Sequence, residues 1–328
     1  MRIFVTGGTG YVGSALVPAL AHRFPEANLM VYDSEAFGNP IAGTSRTTFV
    51  KGDLRDPIEL DQALIAFRPT VIIHLAGIVT DDLVAMNEIR AREINVEALA
   101  GLVQGVHQLG CQRFILMSSS AVYGTQPGIA TEETQPLPMT AYARQKLQQE
   151  WELFADGGPV TKVAVRSATL CGPAPRMRLD TIVNTFSKQA WFDRRLTVHG
   201  GEQWRTNLNV KDLVEFYCTL LVADPKLIDG QVFNVTTGDH QAKTLAHMAA
   251  RLLPAGGPAA QIVVEDRPDP RSYRMSAEKA QRVLGWQPTH SIEAAMLDNF
   301  TWFAQGKIAD PNADLYYNTR RMKEAMTS

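Results

Sequence analysis

The sequence predicts an α/β fold built on a doubly wound parallel sheet, and three observations carry that expectation. An apolar segment with two β-branched positions, Arg2 to Val5, leads into glycines at 7, 10 and 13 and then a helical stretch from Ser14 to Arg23. Strand and helix patterns alternate through the first half of the 328 residues. A second apolar run, Asn28 to Tyr32, ends in Asp33, twenty positions after Gly13.

A strand, a glycine-rich turn and a helix in succession place a pyrophosphate on the helix N-terminus. Gly7 allows the tight turn, Gly10 the close approach of backbone to phosphate, and Gly13 the packing of helix on strand; Tyr11 and Val12 belong to the same cradle. The spacing is G-x-x-G-x-x-G rather than the general G-x-G-x-x-G, so its weight comes from the strand before it and the helix after it. Asp33 stands where a carboxylate accepts hydrogen bonds from both hydroxyls of an adenosine ribose. It also repels a 2′-phosphate, and no arginine follows it directly, which favours NAD over NADP.

Farther along, Thr48 to Lys51 reads as a short strand closed by Gly52-Asp53, and Pro57 to Phe67 as a helix stopped by Pro69. Val71 to Leu75 is a buried strand followed by Ala76-Gly77. A long helical stretch runs from about Met86 to Leu109, with Gly110 as its C-cap. Arg113 to Met117 is a strand ending in three serines, 118 to 120. A Pro- and Thr-rich loop (126–140) precedes a helix from Ala141 to Phe154 and a strand from Lys162 to Arg166. Gly172-Pro-Ala-Pro175 then breaks the alternation, and the segment 173–206 carries arginines at 176, 178, 194, 195 and 205. Leu208 to Val222 returns to strand then helix, Val232 to Val235 is a further strand, and 239–306 is helical with one strand at Gln261 to Val264. These patterns divide the chain into a nucleotide-binding domain (1–166 plus 207–238), a smaller C-terminal α/β substrate lobe (167–206 plus 239–310) and a tail (311–328) that could pack on a neighbouring subunit.

Composition narrows the function classes. Hydrophobic content of 45%, charge of 20% and a net charge of −2 offer no basic excess for nucleic acid and no polybasic cluster for an anionic membrane. No apolar run reaches membrane-spanning length. Cys111, Cys171 and Cys218 are widely spaced without C-x-x-C, so neither a metal site nor a disulfide framework is indicated. Met1 leads straight into a strand, leaving no room for a signal peptide, and the expected compartment is the cytoplasm.

Tyr142 and Lys146 fall at i and i+4 on one helix face. A tyrosine with an ordinary pKa near 10 is a poor base, and a nearby ammonium favours its phenolate. Such a pair takes a proton from an alcohol while hydride leaves the carbon. The serines at 118–120 lie at the carboxyl edge of a parallel sheet, where ligands bind. A hydroxyl there stabilises charge developing on the reacting oxygen. Taken alone, Ser120 reads as a turn residue. Cys171 has no base beside it and reads as a wall thiol, and His74 ends a buried strand and reads as structural.

Together T-G-G-T-G-Y-V-G (6–13), Asp33, Gly52-Asp53, His74-Leu-Ala-Gly77, Asn95, S-S-S-A-V-Y-G (118–124), Tyr142-x-x-x-Lys146 and Arg166 resemble an extended short-chain dehydrogenase/reductase of the nucleotide-sugar epimerase/dehydratase group. W-R-T-N-L-N-V-K-D (204–212), Arg267-Pro268 and S-A-E-K-A-Q-R-V-L-G-W-Q-P (276–288) extend the likeness over almost the whole length. The resemblance implies a Rossmann-type domain, with Ser119 as the catalytic hydroxyl, Tyr142 as acid/base and Lys146 on the nicotinamide ribose. It implies that Asp53 and Leu54 lie along the adenine, that Leu75, Ala76 and Gly77 line the cofactor cleft, and that Asn95 belongs to the cofactor site. It further implies that Arg205 and Arg267 grip the diphosphate of a nucleotide-sugar, with Ser119, Ser120 and Thr169 toward the sugar. Thr181 and Asn184 are further contact candidates in the arginine-rich segment.

Dehydratases and decarboxylases of that group resemble one another in an acidic residue one or two positions after the catalytic hydroxyl; here stand Ser120 and Ala121. Ser167 and Thr169 occupy places where many 4-epimerases have tyrosine and asparagine, and Asn209 replaces the usual histidine. The expected activity is an NAD-dependent nucleotide-sugar 4-epimerase. The alternatives are a net NAD(P)-dependent oxidoreductase (a 4-keto-sugar reductase or sugar dehydrogenase) and a dinucleotide-sensing module without turnover. The resemblance also implies a homodimer formed through the 86–109 and 141–154 helices.

Overall fold

The computed structural model describes residues 1–254, 258–266 and 272–327. Its main sheet has seven parallel strands in the order Gln231–Val235, Thr161–Ser167, Arg113–Ser119, Val71–His74, Arg2–Thr6, Asn28–Asp33, Thr47–Lys51. Strand order reverses between Arg2–Thr6 and Val71–His74, so the loops leaving these strands diverge and open a crevice at their carboxyl ends. Both faces of the sheet are covered, which is why the central strands are apolar without alternation. Ile3, Val5, Leu16, Leu20 and Phe216 pack on one face, and Phe4, Leu64, Ile72, Leu102 and Leu153 on the other.

Local signals place the helices that serve the crevice. Asp56 accepts from the Ile58 and Glu59 N–H groups and Pro57 takes the first helical position of Pro57–Phe67. Thr140 Oγ1 caps Ala141–Ala155 by accepting from Ala143 N at 3.2 Å, which fixes Tyr142 in the first turn.

The long helix expected over 86–109 is broken. Asn87 ends Asp81–Met86 and its side chain caps Glu88–Arg92, accepting from Arg90 N at 3.0 Å. A π-helical turn, Glu93–Glu97, precedes Ala98–Gly105, and Gly110 adopts a left-handed φ of 75° beyond a final 3-10 turn. An Asn is a better cap than an interior helical residue, so the break has a local cause.

The remaining strands form smaller sheets: Thr169–Cys171, Trp204–Asn209 and Gly238–Gln241 in one, Arg195–His199 and Gln261–Glu265 in another, and Ile129–Ala130 with Arg274–Met275 in a third. Phe186, Leu196, Val198, Leu245, Ala249 and Phe300 make a separate core with the helices Ile182–Lys188, Ala242–Leu252 and Ile292–Ala304. The segment expected as a tail contains a helix, Asn318–Thr327, packed on Asp81–Met86 of the same chain, with Met326 1% exposed. Among the described residues no helix is long and apolar enough to cross a membrane.

Candidate active site

A cavity of about 890 Å³ is lined by the glycine turn, Ser119, Tyr142 and Arg205. In the glycine turn Gly7 has φ +71°, and a Cβ there would lie 2.6 Å from the Ala76 backbone. A Cβ at Gly13 would meet the Gly8 backbone at 2.4 Å, so this glycine lets the helix Tyr11–Arg23 pack on its own turn. The Asp33 carboxylate accepts from Thr9 N at 2.9 Å and Glu35 N at 2.8 Å, which fixes it at the cavity wall. Gly10, Tyr11, Val12, Asp53, Leu54, Leu75, Ala76 and Gly77 also line the cavity. Arg55 beside Asp53 holds its carboxyl below the usual range through a 2.6 Å ion pair.

Two residues of the expected cofactor set also have structural tasks. Tyr11 also donates its phenol to Gly172 O at 2.5 Å, joining the glycine turn to the loop after Thr169–Cys171. Asn95 lies behind the wall: Oδ1 accepts from Ile78 N at 2.7 Å, and Nδ2 donates to Ile78 O at 3.1 Å and Gln145 Oε1 at 2.9 Å. It braces the cleft loop rather than facing the cavity.

Strand Arg113–Ser119 and helix Ala141–Ala155 bring Ser119, Tyr142 and Lys146 together. Ser119 lies close enough to Tyr142 for its hydroxyl to act on the phenol. Burial pushes the Tyr142 phenol up to about 12, while the Ser119 hydroxyl and the Arg178 charge pull it back down. Lys146 Nζ donates to Met117 O at 2.9 Å, and burial pushes its ammonium down to about 8 against the pull of Glu150. Arg178, paired at 2.8 Å with Asp180, is thus a cation that acts on Tyr142 beyond the Lys146 that the i, i+4 spacing suggests. Below them a buried network fixes the strands: Ser118 Oγ donates to Glu150, Glu150 pairs with Arg166 at 2.7 Å, Arg166 donates to Tyr123 Oη at 2.9 Å, and Tyr123 donates to Asn234 Oδ1 at 2.7 Å.

Ser120, Thr169, Thr181 and Arg205 also line the cavity. Asn184 does not. It is 0% exposed, accepts from Gly172 N and Asn299 Nδ2 (both 2.9 Å), and donates to Arg178 O at 2.8 Å and Tyr11 Oη at 3.2 Å. A side chain so committed holds the wall and leaves nothing for a ligand, which corrects its assignment as a contact. Arg267 lies outside the described residues. Cys171 is buried, donates to Leu208 O, and has its thiol pushed up by burial, so it is a wall group. His74 bonds Thr6 Oγ1 at 2.9 Å, and burial pushes it down to about 3, which keeps it neutral.

Arg176, Arg178 and Asp180 also line the cavity, and none stands out individually in the sequence. The alternate-residue spacing of the charges, R-x-R-x-D, was the available signal. The dimensions suit a dinucleotide and a second ligand end to end. The residues fit NAD on a direct observation: beside the glycine turn, the buried Arg176 Nε has no hydrogen-bond partner.

A family model described as the NAD dependent epimerase/dehydratase family matches residues 3–236. The chain is 28% identical over 316 residues to a UDP-glucose 4-epimerase of Mycolicibacterium smegmatis, covering 92% of this chain and 98% of that one. It is 25% identical over 323 residues to a dTDP-D-glucose 4,6-dehydratase of Mus musculus, covering 92% and 88%. A solved UDP-glucose 4-epimerase of Thermus thermophilus in complex with NAD superposes with a TM-score of 0.81 at 24% identity, covering 93% of this chain and 99% of that one.

Proposed function

Because the chain belongs to the NAD-dependent epimerase/dehydratase family, and so uses NAD on a nucleotide-sugar, we propose that it is a nucleotide-sugar 4-epimerase. The carrying observation is the floor of the cavity after Ser119. Ser120 and Ala121 both line it, and neither has an ionisable group to move a proton at the adjacent sugar carbon. That deprives a dehydration or decarboxylation of its acid at the place where the resemblance implies one.

NAD supplies the reversible hydride acceptor. Tyr142, as phenolate, takes the proton of the sugar C4 hydroxyl, and Ser119 steadies the charge on that oxygen. With NAD bound, Tyr142 would feel the positive charge of the oxidised ring, which would lower its pKa from the value that burial alone imposes. Arg205 holds the diphosphate while the 4-keto sugar turns, and Tyr142 returns the proton when hydride re-enters on the opposite face. Atoms and electrons balance with no net oxidation. Three buried free thiols suit a reducing cytoplasm. Two copies pairing through the helices near residues 86–109 and 141–155 would cover Ile89 (76% exposed) and Trp151 (63%).

The test uses UDP-glucose and dTDP-glucose carrying deuterium at C4. Deuterium retained at C4 of an inverted sugar supports the proposal. Transfer of deuterium to C6 would make the protein a dehydratase, and cofactor reduced in step with product would make it a net oxidoreductase.

A further inference from the structure

Arg176 is an unusual group for the wall of this cleft. Its side chain is 3% exposed, and its guanidinium stacks 3.7 Å from the Phe37 ring centroid. Nη2 donates to a neutral acceptor, Asn318 Oδ1, at 2.5 Å, and the buried Nε has no partner. Asp33 and Asp180 lie near enough to act on its charge, yet among the described residues no carboxylate forms an ion pair with it. Burial, aggravated by Arg178, pushes its pKa down to about 9. A buried guanidinium with only neutral partners is poorly compensated.

Its position supplies the missing partner. The Arg176 main-chain N–H donates to Ser14 Oγ at 3.0 Å, which docks the residue on the first turn of the helix that follows the glycine turn. Phosphate bound there meets the partial positive charge of the helix N-terminus, about half a unit, and a guanidinium beside it would offset more of the pyrophosphate's negative charge.

Asn318, which holds Arg176, opens the C-terminal helix. Its Nδ2 donates to Val79 O at 3.4 Å and its main-chain N–H to Asp180 Oδ2 at 2.8 Å. Farther along, Arg321 Nε donates to Ala36 O at 2.8 Å, and Met322 and Met326 pack with Ile78, Leu83, Val84 and Ala91. Asn318, Met322 and Met326 all line the cavity. The end of the chain thus ties together the loops after the second and fourth strands and the arginine-rich segment.

We propose that Arg176 binds the dinucleotide pyrophosphate and that the chain's own C-terminal helix, through Asn318, holds the guanidinium in place, making residues 318–326 part of the cofactor site. This rests on NAD being the cofactor and not on which reaction follows, so its test reads NAD binding alone.

Full-length protein, freed of bound dinucleotide, is titrated calorimetrically with NAD and NADP, with thermal stability and far-UV circular dichroism recorded beside it. Arg176→Met is expected to weaken NAD about 10- to 100-fold and to flatten the dependence of affinity on salt. Asn318→Asp places a carboxylate on the arginine. It is expected to raise the melting temperature of the cofactor-free protein while lowering NAD affinity, since the internal anion competes with the pyrophosphate. Combining the two changes should weaken NAD no more than Arg176→Met alone, because both act through one guanidinium. Folded variants that bind NAD like the parent protein would overturn the proposal, as would a loss confined to NADP. If Arg176→Met does not fold, Asn318→Asp decides the matter by the opposed signs of its two effects.

Discussion

Asn95 Nδ2 lies 2.9 Å from Gln145 Oε1, so the side chain that holds both main-chain groups of Ile78 is tied to the residue directly before Lys146. One buried amide therefore sets the spacing between the cleft loop after Val71–His74 and the catalytic helix. Asn95→Ala strands the Ile78 N–H and C=O and is expected to cost about 2–4 kcal/mol. Chemical denaturation measures this, and NAD affinity should fall with it. Gln145→Ala, which leaves Ile78 satisfied, should cost less than half as much.

Tyr142→Phe is expected to lower kcat by about 10²- to 10⁴-fold while NAD remains bound. Ser119→Ala tests the effect of the Ser119 hydroxyl on the phenol. That hydroxyl lowers the Tyr142 pKa, so its removal raises it. The acid limb of the pH–rate profile should then move to higher pH; a limb that stays in place would separate Ser119 from the proton transfer.

Lys146 has an opposite effect on stability. Its folded-state pKa of about 8 lies below the ordinary value of 10.5, so its contribution is most favourable above the unfolded value and is lost as pH falls through about 8. At pH 6 the cofactor-free protein carries a charge that burial disfavours. Lys146→Met should therefore stabilise it there by about 1–2 kcal/mol, allowing for the bond lost to Met117 O, with the gain gone by pH 11. Activity should vanish at both pH values. Denaturation curves across this range provide the check.

Arg205 is buried in the cavity wall and is the proposed partner of the sugar-nucleotide diphosphate. Arg205→Met should raise KM for the nucleotide-sugar about tenfold or more and leave the NAD content of the purified protein unchanged. Loss of NAD in the same variant would move this arginine out of the substrate site.

Trp151 tests the pairing of subunits. Trp151→Glu should shift the protein from dimer to monomer in light scattering at micromolar concentration, without unfolding, because most of the residue faces outward.

The large sheet was legible because its strands are short apolar runs closed by glycine, serine or aspartate, and because the pyrophosphate cradle and Asp33 mark its first two carboxyl ends. That Ser119, Tyr142 and Lys146 meet at one cavity was legible through their sequence positions, but their electrostatics were not. That the Arg178 charge reaches Tyr142 depends on where its segment folds back, and nothing local to Tyr142 records that. Asn184 shows the converse, since a polar residue in an arginine-rich segment looks the same whether it meets a ligand or four internal partners. The closing helix was obscured by its polarity. Asn318, Met322 and Met326 recur at i, i+4 and i+8, but two buried positions and one partly buried one among charged neighbours make a weak pattern.

The strand Gln231–Val235 pairs with Thr161–Ser167, although 63 residues separate the end of one from the start of the other. During synthesis, Val163, Ala164 and Val165 therefore emerge with one hydrogen-bonding edge bare, and they stay so until the chain has passed residue 235. Such an edge can recruit another strand. A nascent chain halted near residue 200 would consequently be the most aggregation-prone stage in the life of this protein, and chaperone demand should peak there rather than at the finished C-terminus.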